Sequence, residues 1–208
     1  MALSKTRGAW SAWAAVAQNG VGEGAIIDVS LHRATRLFIQ GFLDTGSAVA
    51  HTGTQIIVQP YAGADPTAVV DENWGDHLWW TELVGTCNPE PSTLDPAVVG
   101  TTIFTVASTT SYVVANVAMP WIALQDITLA NSELLLLKSI VTNTSLTTQD
   151  GSTRQHANTA IFGNIAFSRA TPWIKSDDIM GMRILVNNNY DSDGAIVNWR
   201  FAWTANLK

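Results

Sequence analysis

The densest run of β-forming residues lies between positions 101 and 148, TTIFTVASTTSYVVANVAMPWIALQDITLANSELLLLKSIVTNTSLTT, where only Asp126, Glu133 and Lys138 are charged. Its apolar stretches predict strands at 102–107, 117–124, 133–141 and 145–148, separated by STTS, DITLANS and TNT, which are clusters of small polar turn formers. Ahead of this run the pattern predicts strands at 25–30, 36–45 and 54–60. In the second of these, Leu37, Ile39, Gly41 and Leu43 alternate with Phe38, Gln40, Phe42 and Asp44, so both faces are largely apolar. Such a strand lies centrally in a sheet or has its outer face covered. Behind the run, 159–167 reads as a strand and 180–207 as a hairpin. The hairpin's last arm sets Val197, Trp199, Phe201 and Trp203 on one face. In the segment 74–83, Trp79 and Trp80 are adjacent and face opposite sides if that segment is extended.

Together these elements predict an all-β fold. The expected architecture is a jelly-roll-like β-sandwich built from 21–95 and 164–208, a small β-barrel-like module inserted at 96–163, and an N-terminal arm at 1–20. The Pro-rich NPEPSTLDP at 88–96 is the best linker. A chain of 208 residues buries a core of ordinary size without staples, and the single Cys87 has no partner within it, so it reads as a small apolar residue. Residues 1–19 superficially resemble a secretory signal, but Trp10 and Trp13 interrupt the apolar stretch. We expect instead an arm held by neighbouring subunits, with Trp10 and Trp13 as its anchors.

Composition sharpens that expectation. Charged residues make up 13% of the chain, against about 25% in a typical soluble domain, while 47% is apolar and nine residues are Trp. A surface so thinly charged is expected to be covered by a protein partner. No run approaches the ~18 apolar residues of a spanning helix, so a membrane is not expected as the partner. Net charge −6 argues against nucleic acid, and the basic group at Lys5–Arg7 is too sparse to reverse that.

Candidate chemistry is thin. The chain has no G-x-S-x-G elbow, P-loop, G-x-G-x-x-G after a strand, H-E-x-x-H or paired cysteines, so neither an enzyme nor a cofactor or metal site is predicted. His32, His51, His77 and His156 are scattered; His51 reads as a loop residue, and His156 has too little around it for a metal. Asp76 and Glu82 beside Trp could suggest a glycosidase pair, but no second feature supports it. The loop with Asn189, Asp191, Asp193 and Gly194 opens like a calcium loop, yet its twelfth position is Arg200 and not Glu, so Asp193-Gly194 reads as a turn. Trp74, Trp79 and Trp80 are the remaining candidates for contact with a partner, either filling pockets on a protein or forming a sugar platform.

Four strings carry a resemblance: VAST at 106–109, D-x-T-x-A-N-S-E at 126–133, QHANT at 155–159 and N-x-Y-D-x-D-G at 188–194. In their order along residues 28–201 they resemble virion structural proteins of tailed bacteriophages. The resemblance implies a capsid cement or decoration protein on the exterior of the head, made in the bacterial host cytoplasm. It would bind the major capsid protein and act as a dimer or trimer, with no catalytic residues to carry over. A tail, neck or baseplate component of the same kind of virion fits the same composition, and a carbohydrate-binding module is the alternative from another class.

Overall fold

The computed structural model describes residues 5–44, 49–63, 74–75, 77–87, 90–91, 99–106, 108–110, 112, 120–156, 160–188 and 195–207. Its strands run in chain order as β1 (Lys5–Arg7), β2 (Ala14–Val16), β3 (Gly20–Glu23), β4 (Ile27–Asp28), β5 (His32–Leu43), β6 (Val49–His51), β7 (Thr54–Tyr61), β8 (Leu78–Glu82), β9 (Gly85–Cys87) and β10 (Glu90–Pro91). They continue as β11 (Ile103–Thr105), β12 (Trp121–Gln125), β13 (Glu133–Val141), β14 (Ser145–Thr148), β15 (Ile161–Gly163), β16 (Ala166–Ala170), β17 (Ile174–Lys175), β18 (Gly181–Asn188) and β19 (Val197–Leu207). The fold is all-β. Among the described residues no helix is long and apolar enough to cross a membrane.

Two sheets face each other as a β-sandwich. The first has the order β1-β19-β5-β16, with β2 also on β19 and β17 also on β5; the second has the order β3-β18-β7-β8, with β4 also on β18. Period-two alternation turns Leu37, Ile39 and Leu43 of β5 and Val197, Trp199 and Phe201 of β19 inward, against Ile56 and Val58 of β7 and Ile184 and Val186 of β18. β5 and β19 pair along almost their whole length, from Leu43 with Val197 to His32 with Leu207.

A third sheet, β10-β15-β12-β13-β14-β11, surrounds a core of its own made by Phe104, Ile122, Leu124, Leu135, Leu137, Leu146 and Phe162. Its pairing runs from β10 to β11 without returning to the start, so among the described residues it is a curled open sheet and not a closed barrel. A bulge at Lys138, between Leu137 and Ser139, bends β13 as it curls. The run Leu134–Leu137 is apolar throughout because both faces of β13 are covered. Leu135 and Leu137 point into this core, while Leu134, with Ala123 of β12, packs on Phe42 of β5. Phe42 is fully buried there, with Trp13, Trp121 and Ala166 around it.

Three local expectations change. Segment 180–207 is not a hairpin: β18 belongs to the second sheet and β19 to the first, so the chain crosses the sandwich between them. The apolar stripes of the two strands satisfy each other across the core instead of side by side. The predicted strand 159–167 is two strands, β15 on the third sheet and β16 on β5, divided where the chain passes from one core to the other. His51, expected in a loop, is a buried strand residue whose Nε2 lies 2.9 Å from Thr54 Oγ1. Of the expected linker 88–96, Glu90–Pro91 forms β10, and the rest lies outside the described residues.

Residues 5–16, expected as an arm, run along β19 as one interrupted edge strand. β1 pairs with Thr204–Asn206 and β2 with Val197–Trp199, while Gly8 N donates to Trp203 O and Ser11 N to Phe201 O in the interval. The opposite edge is built the same way. β16 and β17 pair with two stretches of β5, and Thr171 between them is held by Leu37 and Arg36.

Candidate interaction surface

Among the described residues, the outer face of the first sheet is covered at one end. There Phe42, Trp13 and the third sheet close it. At the other end Phe38 of β5 and Ala202 of β19, paired in register, form the floor of an open groove of ≈ 450 Å³. The interrupted edges supply its walls: Trp10, 42% exposed, projects from the break between β1 and β2, and Trp173, 44% exposed, from the break between β16 and β17. Gly8 is required here, since a Cβ at that position would stand 2.2 Å from Trp203 Nε1. Lys5 and Arg7 lie on the rim, and the Arg36 guanidinium sits 5.7 Å from the Phe38 ring centre.

Trp10 is also a wall of a second groove, of ≈ 280 Å³, formed with Ser11, Trp13, Ala130, Arg154 and Arg200. Arg200 stacks on Trp13 at 4.3 Å and on Trp10 at 5.0 Å, and its Nε donates to Gln40 Oε1. Burial pushes the Arg200 guanidinium below its ordinary value, the positive Arg154 nearby pushes the same way, and Glu133 opposes. The two grooves adjoin at Trp10, which is a wall of both, and are together called the channel: Lys5 and Arg7 line the first, Arg154 and Arg200 line the second, and Arg36 lies beside the Phe38 floor. Neither groove has an acidic side chain in its lining. Apart from the neighbouring Lys5 and Arg7, these cations are far apart in sequence, so no basic run announces the set. Only the strand pairing brings them together.

The four strings behind the virion resemblance have a different role. Asp126, Ser132 and Glu133 of the first long string meet His156 of QHANT in one buried cluster. His156 Nε2 lies 2.6 Å from Glu133 Oε1, and its Nδ1 lies 3.5 Å from Asp126 Oδ2, with the imidazole inaccessible to solvent. Glu133 also accepts from Thr153 N at 3.0 Å and Thr153 Oγ1 at 2.7 Å. Asp126 N donates to Ser132 Oγ, Asp126 Oδ1 accepts from Thr128 N, and Trp13 Nε1 donates to Ser132 O. With its imidazole buried between two carboxylates, His156 ties the loop 126–132 to the loop 149–156. Thr109 of VAST accepts from Asn143 N, and Asn188 of the last string donates to Val16 O and Ala195 O. In each string the described residues fix loops in place.

The tryptophans expected to contact a partner divide. Trp13 is half-buried against Phe42, while Trp10 lines the channel. Trp80 packs on the sandwich core, whereas Trp79, opposite Ile57 on the outer face of the second sheet, is 66% exposed. Trp74 lies against Tyr61, with the Arg183 guanidinium 4.3 Å from its ring. Trp74 and Trp79 therefore lie away from the inner face that takes Trp80, and the three form no single platform. Trp80→Ala is expected to cost roughly 2–3 kcal/mol and Trp79→Ala less than about 0.5 kcal/mol, as read by urea unfolding.

The proposed acid pair is not assembled among the described residues, because Asp76 lies outside them. Glu82 sits in a cleft of ≈ 610 Å³ with Arg169, Trp121 and Phe167 and is ion-paired to Arg169. Burial pushes the Glu82 carboxyl up, and Arg169 partly opposes that. No second acid, His or Cys lines this cleft among the described residues. No group of three or more His, Cys, Asp or Glu that could hold a metal occurs among the described residues, and Asp191–Gly194 of the calcium-like loop lies outside them.

No protein-family model matches the chain, and no curated protein matches it. Among solved structures it aligns with VP17, a capsid protein of bacteriophage P23-77, at 7% identity over 99% of this chain and 100% of that one, with a TM-score of 0.19. It also aligns with the infectious bursal disease virus VP2 subviral particle at 6% identity over 99% of this chain and 41% of that one, with a TM-score of 0.20. Likenesses at this level carry no argument about fold or role.

Proposed function

We propose that this chain is a non-enzymatic virion structural protein of a tailed phage, bound to the major capsid protein on the outside of the head and cementing the shell. The observation that carries the reading is the open channel, an apolar floor between Trp10 and Trp173 in a chain of which only 13% is charged. Such a surface suits a permanent subunit contact, where the core of the interface is more apolar than ordinary surface. The described residues of the strings that resemble phage virion proteins act as loop-fixing devices, which suits a rigid building block. Contacts made only in the assembled particle stabilise it by mass action.

The test is thermal release of DNA from particles with and without the protein. Particles lacking it are expected to open at lower temperature, and adding it back should restore the difference. Equal opening temperatures sink the cement role. Recovery of the protein with isolated tails and not with heads would move it to the tail, neck or baseplate. A second reading, a carbohydrate-binding module, is favoured by the exposed Trp79; it requires glycan binding that Trp79→Ala abolishes.

A further inference from the structure

We infer that the channel on the outer face of the first sheet receives the acidic stretch 65–76 of a second copy of this chain. The inference rests on the reading of that channel as a subunit contact, and it names the subunit. Lys5 and Arg7 line one groove of the channel and Arg154 and Arg200 the other, Arg36 lies beside the Phe38 floor, and neither groove has an acid in its lining. Since the net charge is −6, the remaining surface is strongly acidic. Lys5 and Arg7 are exposed and have no ion-pair partner among the described residues.

The stretch 65–76, DPTAVVDENWGD, is the complement of this channel. Asp65, Asp71, Glu72 and Asp76 are charged, no Lys or Arg is present, and Val69-Val70 adjoins the acids. Carboxylates match the cationic rim, and the valines match the floor of Phe38 and the tryptophans. Trp74, near the end of the stretch, lies with Arg183 on the second sheet, whereas the channel is on the outer face of the first. Tyr61 and Trp74, described residues on either side of residues 64–73, pair with each other on the second sheet, so the contact is drawn between two copies. The contact is head-to-tail, which closes into a ring or continues, according to its rotation. A nucleic-acid strand also offers anions and stacking faces, but a chain of net charge −6 repels it beyond the channel.

The experiment is sedimentation of the full-length protein over a range of concentration and salt. It compares the wild type with two charge reversals, Lys5→Glu with Arg7→Glu, and Asp71→Lys with Glu72→Lys. The wild type is expected to self-associate, and either reversal should weaken the association roughly tenfold or more, as should salt at about 0.5 M. Each reversal retains the partner surface that the other has lost, and the two reversed surfaces are complementary to each other, so mixing the two variants should restore association. Lys5 and Arg7 are exposed, so an unchanged urea midpoint serves as the folding control. A monomeric wild type, reversals that associate normally, or a mixture that stays monomeric each overturns the inference. A channel variant that self-associates normally but no longer joins heads makes the shell protein the occupant. That outcome overturns the inference and leaves the proposed function standing. Saturable binding of single-stranded DNA, lost with Lys5→Glu and Arg7→Glu, would overturn it in favour of nucleic acid.

Discussion

Phe42→Ala is expected to destabilise the chain by about 3–5 kcal/mol, the cost of emptying a fully packed aromatic site. Phe42 has no exposed surface and meets Trp13 edge-on, at 5.0 Å between ring centres and 77° between planes. Ala123 and Leu134 lie on it from the third sheet. It belongs to β5 but points away from the sandwich core, so its loss leaves Leu37, Ile39 and Leu43 in place and opens a void where the two cores join. Urea unfolding followed by Trp fluorescence is expected to show a lowered midpoint. If the joint is what makes the two cores unfold together, the single transition should also split in two. A change below about 1 kcal/mol would mean that the third sheet closes over the gap, contrary to the packing described.

Glu133→Ala is expected to cost a similar amount, about 3–5 kcal/mol, for a different reason. Removing one member of a buried, bonded cluster leaves the others without partners. Here those others are Thr153 N, Thr153 Oγ1 and His156 Nε2. The same carboxylate predicts how the fold responds to acid. Burial pushes Glu133 up, but hydrogen bonds from His156 and Thr153 outweigh it and hold the carboxyl below its ordinary value of 4.5. A depressed folded value means that the unfolded chain binds more protons in the window between the two values. The contribution is therefore fully present above pH 4.5 and is lost as pH falls through the folded value. Unfolding free energies of the wild type and of Glu133→Gln, measured at neutral pH and again in that acid window, are expected to converge on acidification. A constant gap would show that the cluster is held by shape and not by charge.

The elements with the strongest alternation were legible in the sequence. β13 and β14 fall at 133–141 and 145–148 as their patterns predict, and β7 differs from 54–60 by one residue. The double apolar face of β5 foretold a covered strand, and Phe42 shows what covers it. Sheet membership was not legible. The alternation in β18 and β19 is the same whether they pair with each other or face each other across a core, and adjacency in sequence favoured the hairpin. His156 gave no local sign of its role because Asp126 and Glu133 reach it from 30 and 23 positions away. The channel was hidden for the same reason: Lys5, Arg154 and Arg200 share a face only through the register of β1 with β19 and the docking of the third sheet.

The interrupted edges of the first sheet bear on how such a chain survives in quantity. Unbroken rims on strands as apolar as β5 and β19 would offer backbone hydrogen bonds to any passing copy, which is how fibrils begin. Each rim is instead broken by a bulge that carries tryptophan, Trp10 and Trp13 on one side and Trp173 on the other. Edge-to-edge pairing of strands is thereby hindered, while side-chain contact at those same breaks remains open.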